Sequence, residues 1–335
     1  MHMSDALISP AVGGTFWMAA ATALSLVGKR LDPSASTGEG IDSPVPLTGI
    51  MGAFVFAAQM INFAIPGTGS SGHLAGGMLL AILLGPHQAL LAMAALLTIQ
   101  ALFFADGGLL ALGCNIVNMA VIPCWIVYPL LFRPLVGQAL PPSWRWRVAV
   151  HLSALLALLL GALGIVLETT LSGMTLLPWG PFALTMLGIH LVIGLVEGAM
   201  TIVVAEYALR AGLFPAEPKS TSTLPAVWIV LATTLFLGGI GSWFAAPTSD
   251  GLEWSIKRVV GNLPQSEQSP TPEQGATLHT MAAQLQKHTT ILPDYGASKP
   301  WGEPDAKKSF AGLLGGVLTI LLAVGAGWVM RKKRA

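Results

Sequence analysis

Along the 335 residues, polar and Pro/Gly breaks separate nine runs rich in Leu, Ala, Val and Ile. No stretch alternates apolar with polar residues at the period of two that a half-buried strand requires. The runs lie at 13–28, 47–65, 73–84, 87–104, 108–132, 148–170, 181–209, 225–245 and 309–330. Backbone in lipid must satisfy its own hydrogen bonds, so unbroken apolar runs without alternation predict α-helices rather than a barrel. A full crossing takes about 20 apolar residues. The run at 73–84 is too short to cross unaided and is cut from the next by Gly85-Pro86, which predicts a shortened helix covered by its neighbours. The expected fold class is an all-α, polytopic membrane helical bundle of about nine transmembrane segments, seven followed by two.

Lys and Arg in short connections stay on the cytoplasmic side. An N-terminus outside places Lys29 and Arg30, then Arg133, Arg145 and Arg147, then Arg210 and Lys219, and finally Arg331 to Arg334 inside, with the C-terminus cytoplasmic. The other basic residues, Lys257, Arg258, Lys287, Lys299, Lys307 and Lys308, fall in the segment 247–308, and loops near 60 residues escape the charge rule. Adding or dropping one helix would move a basic cluster to the wrong side. No basic residue precedes the first run and Lys29-Arg30 follows it, the reverse of a cleavable signal, so Met1 is expected to be the mature start.

Composition agrees: 53% hydrophobic, 10% charged, mean hydropathy +0.69. A soluble domain carries about 25% charged residues, so a water-soluble protein or a nucleic-acid binder is excluded. The net charge is +1, and the only cysteines, Cys114 and Cys124, sit in one apolar run, which leaves neither a disulfide framework nor a thiolate cage.

Two of the seven histidines point to chemistry. A free α-amine, the His2 backbone nitrogen and the His2 imidazole Nδ1 close adjacent chelate rings on one metal. His73, after the Gly-rich stretch Gly67 to Gly72, lies on the same outer side by the charge argument and supplies a fourth nitrogen. Planar nitrogen coordination suits Ni(II) or Cu(II), whereas Zn(II) prefers tetrahedral sites and Mg(II) prefers oxygen. The competing reading has His2 as a solvated terminal residue and His73 bonded to a backbone carbonyl, and spacing alone leaves both open. The amine and imidazole must be deprotonated to bind, so affinity should fall below roughly pH 6 to 7.

These stretches resemble the CbiM/NikM substrate-capture components of energy-coupling-factor transporters for nickel and cobalt. The resemblance rests on Met1-His2-Met3 through Pro10, on Asn62–Pro86 with SGHLAGG and LLGP, on QALFFADGGLLALGCNIVNM from Gln100 to Met119, and on HLVIGLVE from His190 to Glu197. It implies that Met1, His2 and His73 hold the metal. The tail resembles the small companion CbiN/NikN, here fused: Ser249-Asp250-Gly251-Leu252-Glu253 departs by one residue from the family's Pro-Asp-Gly-Leu-Glu, and Leu292-Pro293-Asp294-Tyr295 precedes the last run. The resemblance implies a capture part at 1–212 and a companion part at 213–335, whose two helices flank an external loop at 247–308. It implies a non-enzymatic protein of a prokaryotic inner membrane with Ni2+ or Co2+ as transported substrate, and planar nitrogen coordination puts Ni2+ ahead of Co2+. It also implies as partners a transmembrane coupling subunit and two ATP-binding-cassette subunits. No Walker A pattern occurs here, so ATP hydrolysis must come from another polypeptide.

Several further groups fit a supporting shell. Asn115 and Asn118, three apart on one helical face, with Asp106, Ser71, Thr98 and Gln100, are expected to orient His73 and the N-terminus, or else to act as interhelical glue. His190 and Glu197, seven apart, read either as a relay or as a buried pair bracing two helices. Ala19 and Ala23 form a small-xxx-small step suited to docking the coupling subunit. The thirteen methionines are scattered and read as packing. Segment 247–308 is expected to be partly ordered at best, with His279 and His288 solvated. Two rival functions remain: an autonomous metal permease, and, more remotely, a rhomboid-like serine protease with Gly69-Ser70-Ser71-Gly72 and His190 as base.

Overall fold

The computed structural model describes residues 1–30, 44–211, 224–261, 276–296 and 299–332. The expected part boundary at 212/213, Lys219, Lys333 and Arg334 lie outside the described residues. The helices are α1 (Pro10–Arg30), α2 (Pro44–Gln59), α3 (Gly77–Leu84), α4 (Pro86–Phe104), α5 (Leu112–Val136), α6 (Trp144–Ser172), α7 (Trp179–Arg210), α8 (Leu224–Gly239), α9 (Gly251–Val260), α10 (Ala276–Thr289) and α11 (Ala306–Lys332). Each apolar run carries one helix, so the fold is an all-α polytopic membrane bundle. Among the described residues six helices, α1, α4, α5, α6, α7 and α11, are long and apolar enough to cross a membrane. Apolar α2 and α8 are shorter, and α3 has eight residues.

The ends of the runs correct the sequence reading. The second run stops being helical at Gln59, and Phe63–Ile65 (β1) pairs antiparallel with Ser70–Gly72 (β2), Phe63 opposite Gly72 and Ile65 opposite Ser70. Gly67 and Gly69 both take positive φ in the turn between them, which a β-carbon would strain. The hairpin displaces the start of α3 from 73 to Gly77 and leaves His73 in the connection. At Gly77 the two backbones meet closely: a β-carbon there would lie 2.6 Å from the Met119 carbonyl oxygen and from the Pro123 ring. That stretch of α5, Val117–Phe132, winds as a wider π-helix in which Pro123 and Pro129 each remove a backbone donor.

Helix α4 is the core. It packs against α1, α2, α3, α5, α10 and α11, and 72% of its apolar window is buried, against 22–50% in the other five long helices. Those five turn large apolar side chains such as Leu130, Leu171, Leu184, Val203 and Leu321 outward, as lipid contact demands. Helices α8 and α11 pack on each other and on α2, so the tail is built into the bundle.

The described residues of 247–308 hold more secondary structure than the composition predicts. They contain α9 and α10, and α10 closes the end of α4, whose last carbonyls have no partner within the helix. Gln286 Nε2 donates to Ala101 O (2.9 Å), Thr289 Oγ1 to Leu102 O (2.8 Å) and Ile291 N to Phe103 O (2.9 Å).

Candidate metal centre

The N-terminus is drawn into the protein by its own side chains. Met3 and Ile8 are fully buried and Leu7 nearly so, which anchors residues 1–9 between α1 and α5. Asn115 on α5 then grips the main chain at Met3 from both sides. Its Oδ1 accepts from Met3 N (2.8 Å) and its Nδ2 donates to Met3 O (3.2 Å), while Gly108 N donates to the same carbonyl (2.8 Å). Asp5 accepts from Ala111 N (2.9 Å) and sits so close to Gly108 that a β-carbon there would run into its carboxylate. Met1 and His2 are thereby delivered beside His73.

The His2 side chain is 7% exposed, so it is not a solvated terminal residue. Its ring faces that of His73, centroids 5.6 Å apart and planes 19° from parallel. A directed relay of amides joins the two histidine segments. Gln59 Nε2 donates to Ala75 O (2.9 Å), Gln100 Nε2 donates to Gln59 Oε1 (2.7 Å), and Gln100 Oε1 lies 3.1 Å from His2 Nε2. With both amides oriented this way, Gln100 offers His2 only an acceptor, which places the His2 proton on Nε2 and the lone pair on Nδ1. Nδ1 faces Asp106 Oδ1 at 3.2 Å, while the other Asp106 oxygen accepts from the Tyr295 hydroxyl (2.5 Å). At His73, Nδ1 lies 3.2 Å from Leu74 O, an acceptor, so Nε2 carries the lone pair. Burial pushes the His73 imidazole down to about 3, with the positive amine and His2 adding to the shift. Burial also lowers His2, against the opposing pull of Asp106. Both rings are neutral ligand forms at neutral pH.

The terminal amine of Met1 pairs with Asp250 Oδ2 at 2.7 Å. Asp250 is the N-cap of α9, its Oδ1 accepting from Glu253 N (2.8 Å). Burial would raise its carboxyl, but the charge and hydrogen bond of the amine, with the Glu253 N–H, hold it well below the usual carboxylate range. Ser71 fixes this tail segment to the hairpin, its N donating to Ser249 O (2.8 Å) and its Oγ to Thr248 O (2.7 Å). Two tail residues therefore reach the predicted ligands: Asp250 directly, and Tyr295 through Asp106. Among the described residues, no three His, Cys, Asp or Glu side chains converge on one point. A site built here has to recruit the amine and main-chain nitrogen.

The other predicted positions are placed as follows. Asp106 and Gln100 touch His2, Asn115 holds Met3, and Ser71 holds the tail instead of His73. Asn118 turns away to Glu168 (2.8 Å), and Thr98 bonds its own helix at Ala94 O. His190 and Glu197 do not pair: His190 Nδ1 donates to Met186 O (2.7 Å), and Glu197 Oε1 accepts from Gly76 N (3.2 Å). His279 is not solvated, its Nε2 lying 2.9 Å from Ile8 O and 3.1 Å from Asp5 O over the N-terminal segment. Ala19 is exposed and Ala23 is buried within the bundle. Sequence reasoning missed Gln59 and Asp250 as neighbours of the site. Asp250 and Glu253, three apart, carry the signature of a helix start, which was the available signal.

Both parts of the chain are similar to known proteins. The family model described as the cobalt uptake substrate-specific transmembrane region matches residues 2–212, and the PDGLE domain matches 225–332. A protein of Archaeoglobus fulgidus that bears the name fused nickel transport protein NikMN is 31% identical over 325 residues, 96% of each chain. A protein of Geobacter sulfurreducens named cobalt transport protein CbiM is 31% identical over 60% of this chain and 57% of its own. A crystal structure of a truncated transition metal transporter, 28% identical, aligns over 63% of this chain and 99% of its own with a TM-score of 0.49. The chain belongs to the family of cobalt uptake substrate-specific transmembrane regions, continued by a PDGLE domain.

Proposed function

We propose that the chain captures a divalent transition-metal ion, Ni2+ ahead of Co2+, on the outer face of a prokaryotic inner membrane and passes it inward. Its ligands are the Met1 amine, the His2 main-chain nitrogen and Nδ1, and His73. The coarser statement is carried by the family, which is a metal transport component of the membrane and not an enzyme. The serine-protease reading is withdrawn on that ground, and Ser71 Oγ is committed to the tail carbonyls.

The observation that carries the ligand assignment is the direction of the hydrogen bonds. The protein places an acceptor on Nε2 of His2 and on Nδ1 of His73, so each ring offers its other nitrogen as a lone pair, the arrangement that ligating imidazoles require. At His2 that lone pair confronts a carboxylate oxygen, and two facing acceptors are relieved by a cation between or beside them. Binding then requires the amine to exchange Asp250 for the metal. Because His73 is held at about 3, proton competition at that ring begins far below the pH 6 to 7 expected from an ordinary imidazole. Nitrogen donors in a plane favour nickel. Transport is driven by a coupling subunit and two ATP-binding-cassette subunits, since this chain has no Walker A sequence. Uptake by cells lacking such subunits would favour the autonomous permease instead.

The test is Ni2+ and Co2+ affinity of the detergent-purified chain, with its native start and with one residue added before Met1. The extension converts the amine to an amide and should weaken Ni2+ binding at least about 100-fold. Equal affinity in the two forms would overturn the chelate.

A further inference from the structure

Beneath the terminal amine lie two adjoining cavities of about 10 Å3 each, room for roughly one water-sized species. The first is bordered by Met1, His73, Asp250 and His190, the second by Met1 and Glu197. The two share Met1, Ala75 and Leu158 in their walls. His190 is 1% exposed and Glu197 3% exposed, and the two stand two turns apart on α7.

Each presents an atom with no hydrogen-bond partner in the protein, His190 Nε2 and Glu197 Oε2. The first carries a lone pair, and the second does so when the carboxyl is ionised. The His190 proton is fixed on Nδ1 by Met186 O, which leaves Nε2 basic and directed toward the tail at Gly251, where a β-carbon would lie 3.1 Å from it. Gly251 is thus the residue that keeps space open in front of the imidazole. Glu197 uses one oxygen to hold Gly76 N at the start of α3 and leaves the other free at the second cavity. A basic imidazole nitrogen and a carboxylate oxygen buried without donors are unfavourable unless a positive species visits them. An imidazole and a carboxylate at two adjoining cavities next to a nitrogen chelate suit a divalent transition metal passing from nitrogen to oxygen ligands.

We propose that His190 Nε2 at the first cavity and the Glu197 carboxylate at the second are successive inner positions for the divalent metal, to which the ion moves from the Met1, His2 and His73 chelate past the Met1 side chain. The proposal rests on the outer chelate for the identity of the ion, and its test reads the two sites apart. In the full chain extended by one residue before Met1, where the outer chelate is disabled, Co2+ followed by its visible absorption should still saturate a weaker site at about one ion per chain. Glu197→Gln and His190→Gln should each weaken that binding by about twofold or more, and the two together should abolish it. The same substitutions in the unextended chain should leave Ni2+ affinity within about threefold, which also reports that the variants fold. No saturable Co2+ site in the extended chain, a site indifferent to both substitutions, or loss of tight Ni2+ binding with either of them would overturn the proposal. A failure of the outer chelate would instead show as unchanged tight Ni2+ binding after extension.

Discussion

Asn115 does for Met3 what a neighbouring strand would do, supplying one acceptor and one donor to a main chain that belongs to no sheet. Both bonds are buried, so deleting the amide leaves a backbone N–H and a share of a carbonyl without partners, at roughly 1–3 kcal/mol. The cost falls on the segment that presents the amine and His2 and not on the helices. Asn115→Ala is therefore expected to weaken Ni2+ retention by about tenfold or more while the helix content of the detergent-solubilised chain stays unchanged. Undiminished retention, measured by equilibrium dialysis, would show that the N-terminal loop holds its place without the bracket. Asn115 was legible in the sequence because an amide inside an apolar run demands a partner. The same logic named Asn118, yet its partner is Glu168, since periodicity locates a polar group on a helix face without saying what faces it. Asp250 was illegible as a neighbour of Met1, since 249 residues separate them and only the fold closes the distance.

At the scale of elements, apolar runs predicted where helices sit because lipid-facing and core-facing positions are both apolar, and only their ends were uncertain. The hairpin was invisible, since three-residue strands are too short to show alternation and the second apolar run flows into β1 without a break. Helices α9 and α10 were hidden by polar composition, and their order comes from contacts instead. Helix α10 is tied down by carbonyls at the end of α4 and near the N-terminus, so its stability depends on docking rather than propensity. Gln286 is central, because its amide bridges Ala101 O and Gly107 O (2.7 Å). Gln286→Ala should cost about 1–2 kcal/mol and release α10 from α4. Amide hydrogen exchange should then rise across 276–291 while α4 itself remains protected. Unchanged protection in α10 would mean that Thr289 and Ile291 suffice to hold it.

Across the whole molecule, the tail behaves as a structural part of the capture bundle, and close helix approaches explain how. The small residues at these crossings are glycines that let α11 reach α8 and α2. A β-carbon at Gly312 would lie 2.2 Å from Gly238 O, and one at Gly315 would strike the Phe56 ring, whereas a β-carbon at Gly238 would meet nothing nearer than 3.2 Å. The sequence displays these glycines but not which of them sits at a crossing, because a glycine in an apolar helix looks the same at a contact and in open lipid. This asymmetry between two partners of one crossing has a measurable consequence. Gly312→Ala pushes into backbone that cannot move aside and should destabilise the bundle by about 1–3 kcal/mol, while Gly238→Ala, whose β-carbon would meet the Gly312 backbone at 3.2–3.3 Å, should cost less. In detergent the first should lower the thermal midpoint by several degrees and the second by about one or two. Because α8 leads into Asp250 and α11 follows Tyr295, spreading the two helices should also loosen both tail contacts with the N-terminal ligands, so Gly312→Ala should change Ni2+ affinity where Gly238→Ala does not. Equal effects of the two substitutions on stability would show that the helices do not cross at this point, and a stability loss with unaltered affinity would separate the tail's packing from its hold on Met1 and His2.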